Sequence, residues 1–270
     1  MTKIELVFSD IDGTLLNSKH EVTAEASQII QDLVKQGTKI ILASARPPGA
    51  MTSIADEVHL SSPLVCFNGA LITQYKEGSF DDLYSLTLDR LDALQLYQAV
   101  SAKFSEISFN IYSGERWYVE QEDEWVKQEA AITKMDPESI SMEDFLKEHL
   151  PVHKILCMGN PDNIQKLEDE LEWANLPSIS YYRSKDTYME IVNNQVSKLG
   201  ALHFLCEKYG VELENTLAIG DNFNDMPMII HAGKGIAMGN APDEVKQAAD
   251  CVTDTNDENG FYKALMKSLG

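Results

Sequence analysis

Three short runs near the start of the chain, Ile4–Phe8, Lys39–Ala43 and Leu64–Phe67, are apolar almost without interruption, and each stops at small or polar residues. A strand with one wet face alternates apolar and polar side chains. A strand apolar on both faces is enclosed between layers, and this is the habit of a parallel sheet covered by helices on each side. The sequence between the runs supports that reading. Ala26, Ile29, Ile30, Leu33 and Val34 recur at helical spacing, with Thr23 placed to cap the helix start and Gly37 to end it. A short helix is expected between the second and third runs.

The same rhythm returns late in the chain. Ser197 is placed to cap a helix bearing Leu202, Leu205, Cys206 and Tyr209, with Gly210 as its stop. Thr216–Ile219 and Gly235–Met238 read as two more strands, and Pro242 suits the first turn of a following helix. The middle has another texture. Residues 70–75 and 80–86 read as a hairpin, and beyond it helices mix with alternating strands such as Arg116–Val119, with a helix expected over 162–176. The expected fold is therefore α/β. A Rossmann-like, doubly wound parallel-sheet core, residues 1–86 and 188–270, is interrupted by an α+β cap domain, residues 87–187. Trp117, Trp125 and Trp173 are read as packing residues of that insert.

Charge narrows the partners. The chain carries 22 Lys and Arg against 43 Asp and Glu, a net charge of -21, which repels nucleic acid and anionic membranes. No apolar stretch is long enough for a membrane span, and the N-terminus reads as structure rather than an export signal. The four cysteines form no CxxC pair and are expected to be free thiols in a cytoplasmic protein.

Polar groups gather at the ends of the predicted strands, where open α/β sheets bind ligands. Asp10 and Asp12 stand two residues apart before Gly13. Ser44 ends the second strand, Lys198 opens a helix, and Asp221 and Asp225 follow the strand at Thr216–Ile219. Taken singly each has an ordinary explanation. An Asp-x-Asp pair is commonly turn chemistry, and a lysine at a helix start is commonly a solvated cation. Together they form a site: carboxylates from separate strand ends can share one Mg²⁺. Asp10 can attack a phosphoryl group, and Asp12 can pass the proton. The Ser44 hydroxyl, Lys198 and turn N–H groups can neutralise phosphate oxygens.

These residues sit in the motifs "DIDGTLL" (10–16), Ser44 with Arg46, "VSKLGAL" (196–202) and "GDNFNDMPMI" (220–229), accompanied by "FNGA" (67–70) and "GIAMGNA" (235–241). In this ordered set the chain resembles the haloacid dehalogenase superfamily phosphatases, and within them the Cof type, whose large α/β cap is inserted after the third core strand. The resemblance runs over essentially the whole chain and is weakest in the cap. It implies Asp10 as nucleophile and metal ligand. It implies Asp12 as acid/base that also binds metal through its main-chain carbonyl, Asp221 as a further ligand, and Asp225 as metal support. Ser44, Ala45 and Lys198 would hold phosphate oxygens, with Asn224 nearby and the turn residues Ile11 and Gly69 among the phosphate- or substrate-binding positions. Two departures are visible: Ser-Ala-Arg stands where the family more often has Thr-Gly-Arg, and the glycine after Lys198 comes one place late.

Three residues stay open between two roles. Arg46 clamps a substrate anion or pairs with a surface acid, Asn68 binds a substrate hydroxyl or holds a turn, and Arg183 touches substrate or makes an interdomain salt bridge. The expected activity is Mg²⁺-dependent hydrolysis of small phosphate monoesters, sugar phosphates or similar metabolites, through an aspartyl-phosphate under a closing cap. The alternatives are a phosphomutase or phosphotransferase using the same intermediate, and a non-enzymatic phospho-receiver.

Overall fold

The computed structural model describes residues 3–148, 150–174 and 176–269, and divides them into two units. One holds the chain up to Arg46, Met51–Tyr84 and the chain from Ser197 on; the other holds Pro47–Ala50 and Ser85–Val196.

The first unit opens with β1 (Leu6–Asp10), α1 (Ala24–Lys35), β2 (Lys39–Ala43), α2 (Pro48–Glu57), β3 (Leu64–Cys66), β4 (Leu71–Lys76) and β5 (Ser79–Ser85). The insert follows with α3 (Arg90–Lys103), β6 (Ser108–Ser113), β7 (Arg116–Val119), α4 (Glu124–Thr133), β8 (Glu138–Ser139), α5 (Met142–Lys147), β9 (Lys154–Met158), α6 (Pro161–Ala174), β10 (Ile179–Lys185) and β11 (Tyr188–Asn193). The first unit resumes with α7 (Lys198–Tyr209), β12 (Thr216–Gly220), α8 (Met226–His231), β13 (Lys234–Ala237), α9 (Asp243–Ala248), β14 (Cys251–Val252) and α10 (Gly260–Leu269).

The core sheet runs β14-β13-β12-β1-β2-β3-β4-β5. It is parallel from β14 to β3, and β4 joins it antiparallel, so the expected hairpin extends this sheet. The unbroken apolar runs have the predicted cause: β1 and β12 are buried at every position. On one face Leu6, Phe8, Ile41, Val65 and Ala218 pack with Leu202, Leu205, Met228 and Ile229. Each of these side chains larger than alanine is worth roughly 1.5–3 kcal/mol when removed from water. The predicted ends of α1 hold, since Thr23 Oγ1 accepts from Ala26 N at 3.2 Å and Gly37 follows at φ +92°. Val34 does not join the buried stripe; it is 43% exposed. Pro242 stands one position earlier than expected, as the N-cap of α9.

β1 lies between β2 and β12, with Asp10 level with Ala43 and Ser9 level with Ile219. That register brings the C-terminal ends of the three strands side by side, which is what places the site.

The insert forms a six-stranded sheet, β10-β11-β9-β6-β7-β8, antiparallel except for the β7–β8 pair. Phe109, Ile111, Ile155, Cys157, Met189 and Ile191 form one face, packed against Leu96, Val100, Phe145, Ile164 and Leu167 of its helices. Trp117 is fully buried, stacked on Tyr112, and donates Nε1–H to Asn110 Oδ1 at 3.0 Å. The Trp173 side chain and Asn175, at the end of the helix expected over 162–176, lie outside the described residues. The core was expected to resume at residue 188. Instead Tyr188–Asn193 is β11, paired antiparallel with β9 and β10, and the first unit resumes at Ser197. All four cysteines are free, and among the described residues no helix is long and apolar enough to cross a membrane.

Candidate active site

β1 ends in Asp10, 6% exposed, and β12 ends one residue before Asp221. Between the two strand ends stands Lys198, the first residue of α7, whose N-cap Ser197 Oγ accepts from Gly200 N at 3.0 Å. Lys198 is not a solvated cation. It is 1% exposed, and its Nζ donates to Asp10 Oδ1 and to Asp225 Oδ1, both at 2.6 Å. Asp225 uses its other oxygen, Oδ2, to accept from the backbone N–H groups of Asp221 and Asn222, each at 3.0 Å. The "GDNFND" loop is thereby folded around Asp225 and tied through Lys198 to β1. The Asp221 carboxylate receives Thr14 Oγ1 at 3.2 Å and Asn240 Nδ2 at 3.3 Å. Gly13 is required where it stands, because its φ is +83° and a Cβ there would overlap that carboxylate.

Asp10, Asp221 and Asp225 each offer a carboxylate oxygen within 4.8 Å of the other two. Against three negative charges stands the single ammonium of Lys198, leaving two uncompensated if all three ionise. Burial pushes the Asp10 carboxyl well above the ordinary carboxylate range; Lys198 opposes that rise, and Asp225 and Asp221 add to it. Asp221 is pushed up to about 6, first by burial and then by Asp225. Asp10 Oδ2 is buried and accepts no hydrogen bond. An all-oxygen set with a charge deficit and an uncommitted carboxylate oxygen fits a hard divalent cation. Asp10 and Asp221 are the residues that would hold it, with Asp225 behind them.

The Asp12 side chain is not part of this cluster. It carries a two-pronged contact from Arg46, Nε to Oδ2 at 2.8 Å and Nη2 to Oδ1 at 2.5 Å, and Ser44 Oγ reaches Oδ2 at 3.4 Å. Only the main-chain route to a metal, the one the resemblance implies, is therefore left to Asp12. Of the two roles open for Arg46, the structure shows the pairing one, and its partner is the expected acid/base rather than a surface acid. The Ser44 hydroxyl, itself buried, also accepts Arg46 N at 3.2 Å. Ala45 lies between them.

The remaining strand-end residues close the turn. Asn68, at φ +57°, donates N–H to the Ser44 carbonyl at 2.9 Å, and its Oδ1 accepts from Asn224 Nδ2 at 3.1 Å. Gly69 has φ +108°, and a Cβ there would collide with the Ser197 carbonyl. The Ile11 side chain is buried, and its carbonyl accepts from Thr14 N and Leu16 N. Arg183 lies in the insert, where it contacts Glu168 and Gln165 of α6, an ion pair within that unit. Sequence reasoning gave no role to Thr14 or Asn240. The signal for both was their place inside quoted motifs, "DIDGTLL" and "GIAMGNA". Asn240 Nδ2 also donates to the Gly13 carbonyl at 2.9 Å, so it spans the first-motif turn and Asp221 together.

Comparison with known proteins agrees over nearly the full length. A family model described as haloacid dehalogenase-like hydrolase matches residues 7–265. A candidate phosphatase of Haemophilus influenzae is 34% identical over 264 residues, covering 97% of each chain. The 5-amino-6-(5-phospho-D-ribitylamino)uracil phosphatase YcsE of Bacillus subtilis is 29% identical, covering 97% of this chain and 94% of its own. Among solved structures, a haloacid dehalogenase-like hydrolase from Bacteroides thetaiotaomicron superposes with a TM-score of 0.88 at 32% identity, covering 98% of this chain and all of that one.

Proposed function

Since this chain belongs to the haloacid dehalogenase-like hydrolase family and is a phosphoric monoester hydrolase of it, we propose that it releases phosphate from small phosphorylated metabolites by way of an aspartyl-phosphate on Asp10. The observation that carries this reading is the environment of Asp10. One oxygen is fixed by the buried Lys198, and the other, Oδ2, is left without a hydrogen-bond partner. A nucleophile needs that combination of fixed aim and free lone pairs.

In the first half-reaction an Asp10 oxygen forms a bond to phosphorus as the ester P–O bond breaks. Asp12 gives its proton to the departing alkoxide oxygen. In the second, water attacks the phosphorus of the acyl phosphate, Asp12 takes the water's proton, and the Asp10 carboxylate leaves. Dividing one difficult displacement into two is the gain from covalent catalysis. Lys198 holds Asp10 in line, while the Ser44 hydroxyl and the backbone at Ile11 and Ala45 offer donors to phosphate oxygens. A bound Mg²⁺, held by Asp10 and Asp221, would supply charge neutralisation for the phosphoryl oxygens.

A phosphorylated sugar or polyol is the favoured substrate class. The relative YcsE is named for a phosphate on a ribityl chain, a polyol. The test is phosphate release from a panel of sugar, polyol and cofactor phosphates with Mg²⁺, in water and without an added acceptor. Turnover by the wild type and its loss in Asp10→Asn, with an unchanged circular dichroism spectrum, is expected. Substantial turnover by that variant would refute the nucleophile, and consumption of the ester only when a second sugar is supplied, with the phosphoryl group recovered on that sugar, would favour a phosphotransferase.

A further inference from the structure

Arg46 sits where an anion-binding arginine is expected, yet its guanidinium is already committed. The Nε and Nη2 edge, the geometry that matches a carboxylate or phosphate two oxygens at a time, is spent on both oxygens of Asp12. The backbone beneath it is anchored twice: Arg46 N donates to Ser44 Oγ at 3.2 Å, and the Arg46 carbonyl accepts from Phe67 N at 3.2 Å. Arg46 is thus fixed to the ends of β2 and β3, whereas Asp12 belongs to the turn after β1. The Asp12 side chain is 41% exposed, and apart from Arg46 its contacts are Ser44 Oγ at 3.4 Å and His20 Nδ1 at 3.9 Å, both at long distance. A half-exposed aspartate on a turn samples several rotamers unless something selects one.

We infer that Arg46 is the positioning residue of the acid/base: it fixes the rotamer of Asp12 so that the proton is delivered to one place, and it is not the clamp for the substrate's phosphate. The inference rests on the reading of Asp12 as the proton donor given above. Its consequence is selective. A proton donor matters in proportion to how badly the leaving oxygen needs a proton. An alkoxide from a sugar or polyol phosphate needs one; p-nitrophenolate does not. Loss of Arg46 therefore penalises the first kind of ester and spares the second. Loss of a phosphate clamp penalises both, because both present the same phosphate.

The experiment compares kcat/KM, which covers the steps up to phosphoryl transfer to Asp10, for a sugar or polyol phosphate found active in the panel and for p-nitrophenyl phosphate. The enzymes are wild type, Arg46→Gln, Arg46→Lys, Asp12→Asn and Arg46→Gln/Asp12→Asn. A misplaced catalytic group costs up to about 100-fold and an absent one about 100- to 10000-fold. The expected result for Arg46→Gln is a loss of roughly 10- to 100-fold on the alkyl ester and less than about 3-fold on p-nitrophenyl phosphate. Arg46→Lys, which retains the charge without the fork, should fall between wild type and Arg46→Gln on the alkyl ester. In the Asp12→Asn background the Arg46 substitution should add almost nothing, since the residue it positions is gone.

Equal losses on both esters, carried by KM and additive with Asp12→Asn, would overturn the inference and make Arg46 a substrate clamp while leaving the phosphatase reading intact. If Asp12→Asn itself spares the alkyl ester, the proton-donor reading fails and the inference falls with it. Unfolding midpoints of the variants within a degree or two of wild type separate a local effect from a global one. Should Arg46→Gln be unstable, Arg46→Lys carries the same comparison of the two esters.

Discussion

Asp221 lends itself to a quantitative test because its carboxyl is pushed from 3.8 up to about 6 in a protein without metal. The perturbation is removal of divalent cations with a chelator, followed by a pH series on wild type and Asp221→Asn. A carboxyl whose pKa is raised by folding costs nothing while both states are protonated, below about pH 3.8. The cost grows as the unfolded chain ionises and the folded one resists, and is complete above about pH 6. Two units at about 1.4 kcal/mol each come to about 3 kcal/mol. The wild type should therefore lose about 3 kcal/mol relative to Asp221→Asn as pH rises from 4 to 7. Because Asp221 also raises Asp10, removing it relieves that residue too, so the gap should be at least this large. Saturating Mg²⁺ should abolish or invert it, since the cation favours the ionised pair.

The readout must come from the right unit. All three tryptophans belong to the insert, so fluorescence reports the other sheet. Amide hydrogen exchange of peptides covering β1 and β12 measures opening of the strands that carry the site. A wild-type-minus-variant gap that stays constant between pH 4 and 7 without metal would refute the electrostatic account of the cluster.

Two further outcomes follow from the same geometry. Lys198→Met should destabilise the metal-free core by about 3–5 kcal/mol in urea unfolding, because it leaves two buried carboxylates facing each other without their shared cation; a change below about 1 kcal/mol would contradict the pairing. Gly13→Ala should weaken divalent-cation binding at least about 10-fold by titration calorimetry, since the new Cβ and the positive φ displace Asp221; unchanged affinity would remove Asp221 from the ligands.

Much of the core was legible because its signals are local. An uninterrupted apolar strand states that both its faces are covered, so Asp10, Ser44 and Asp221 could be placed at the ends of separate strands of one parallel sheet before any pairing was known. What sequence left open was partnership across long separations. "YMEIV" reads the same whether its strand joins a parallel core or an antiparallel insert, and the boundary was misplaced there. Arg46 and Asp12 are 34 positions apart, and nothing in either neighbourhood announces that one arginine edge will be used up by one carboxylate. The contacts of Arg183 with Glu168 and Gln165 of α6 were not legible for the same reason, being made across 15 and 18 positions between a strand and a helix. Lys198 could be assigned to the site from its motif, but nothing near it in sequence announces that two buried carboxylates, 188 and 27 positions away, are its partners.

The central place of β1 in its sheet bears on how the chain is made. The strand that carries Asp10 is synthesised more than two hundred residues ahead of its neighbour β12 and of the carboxylate at Asp225. At ribosomal speeds of about 5–20 residues per second, β1 waits on the order of 10–40 s with one edge unpaired. During that time the uninterrupted stretch from Ser85 to Val196 is completed and can pair its own strands. Lys198 and Asp225 follow that stretch, so the contacts that tie Asp10 to the β12 loop form only after the insert has been made.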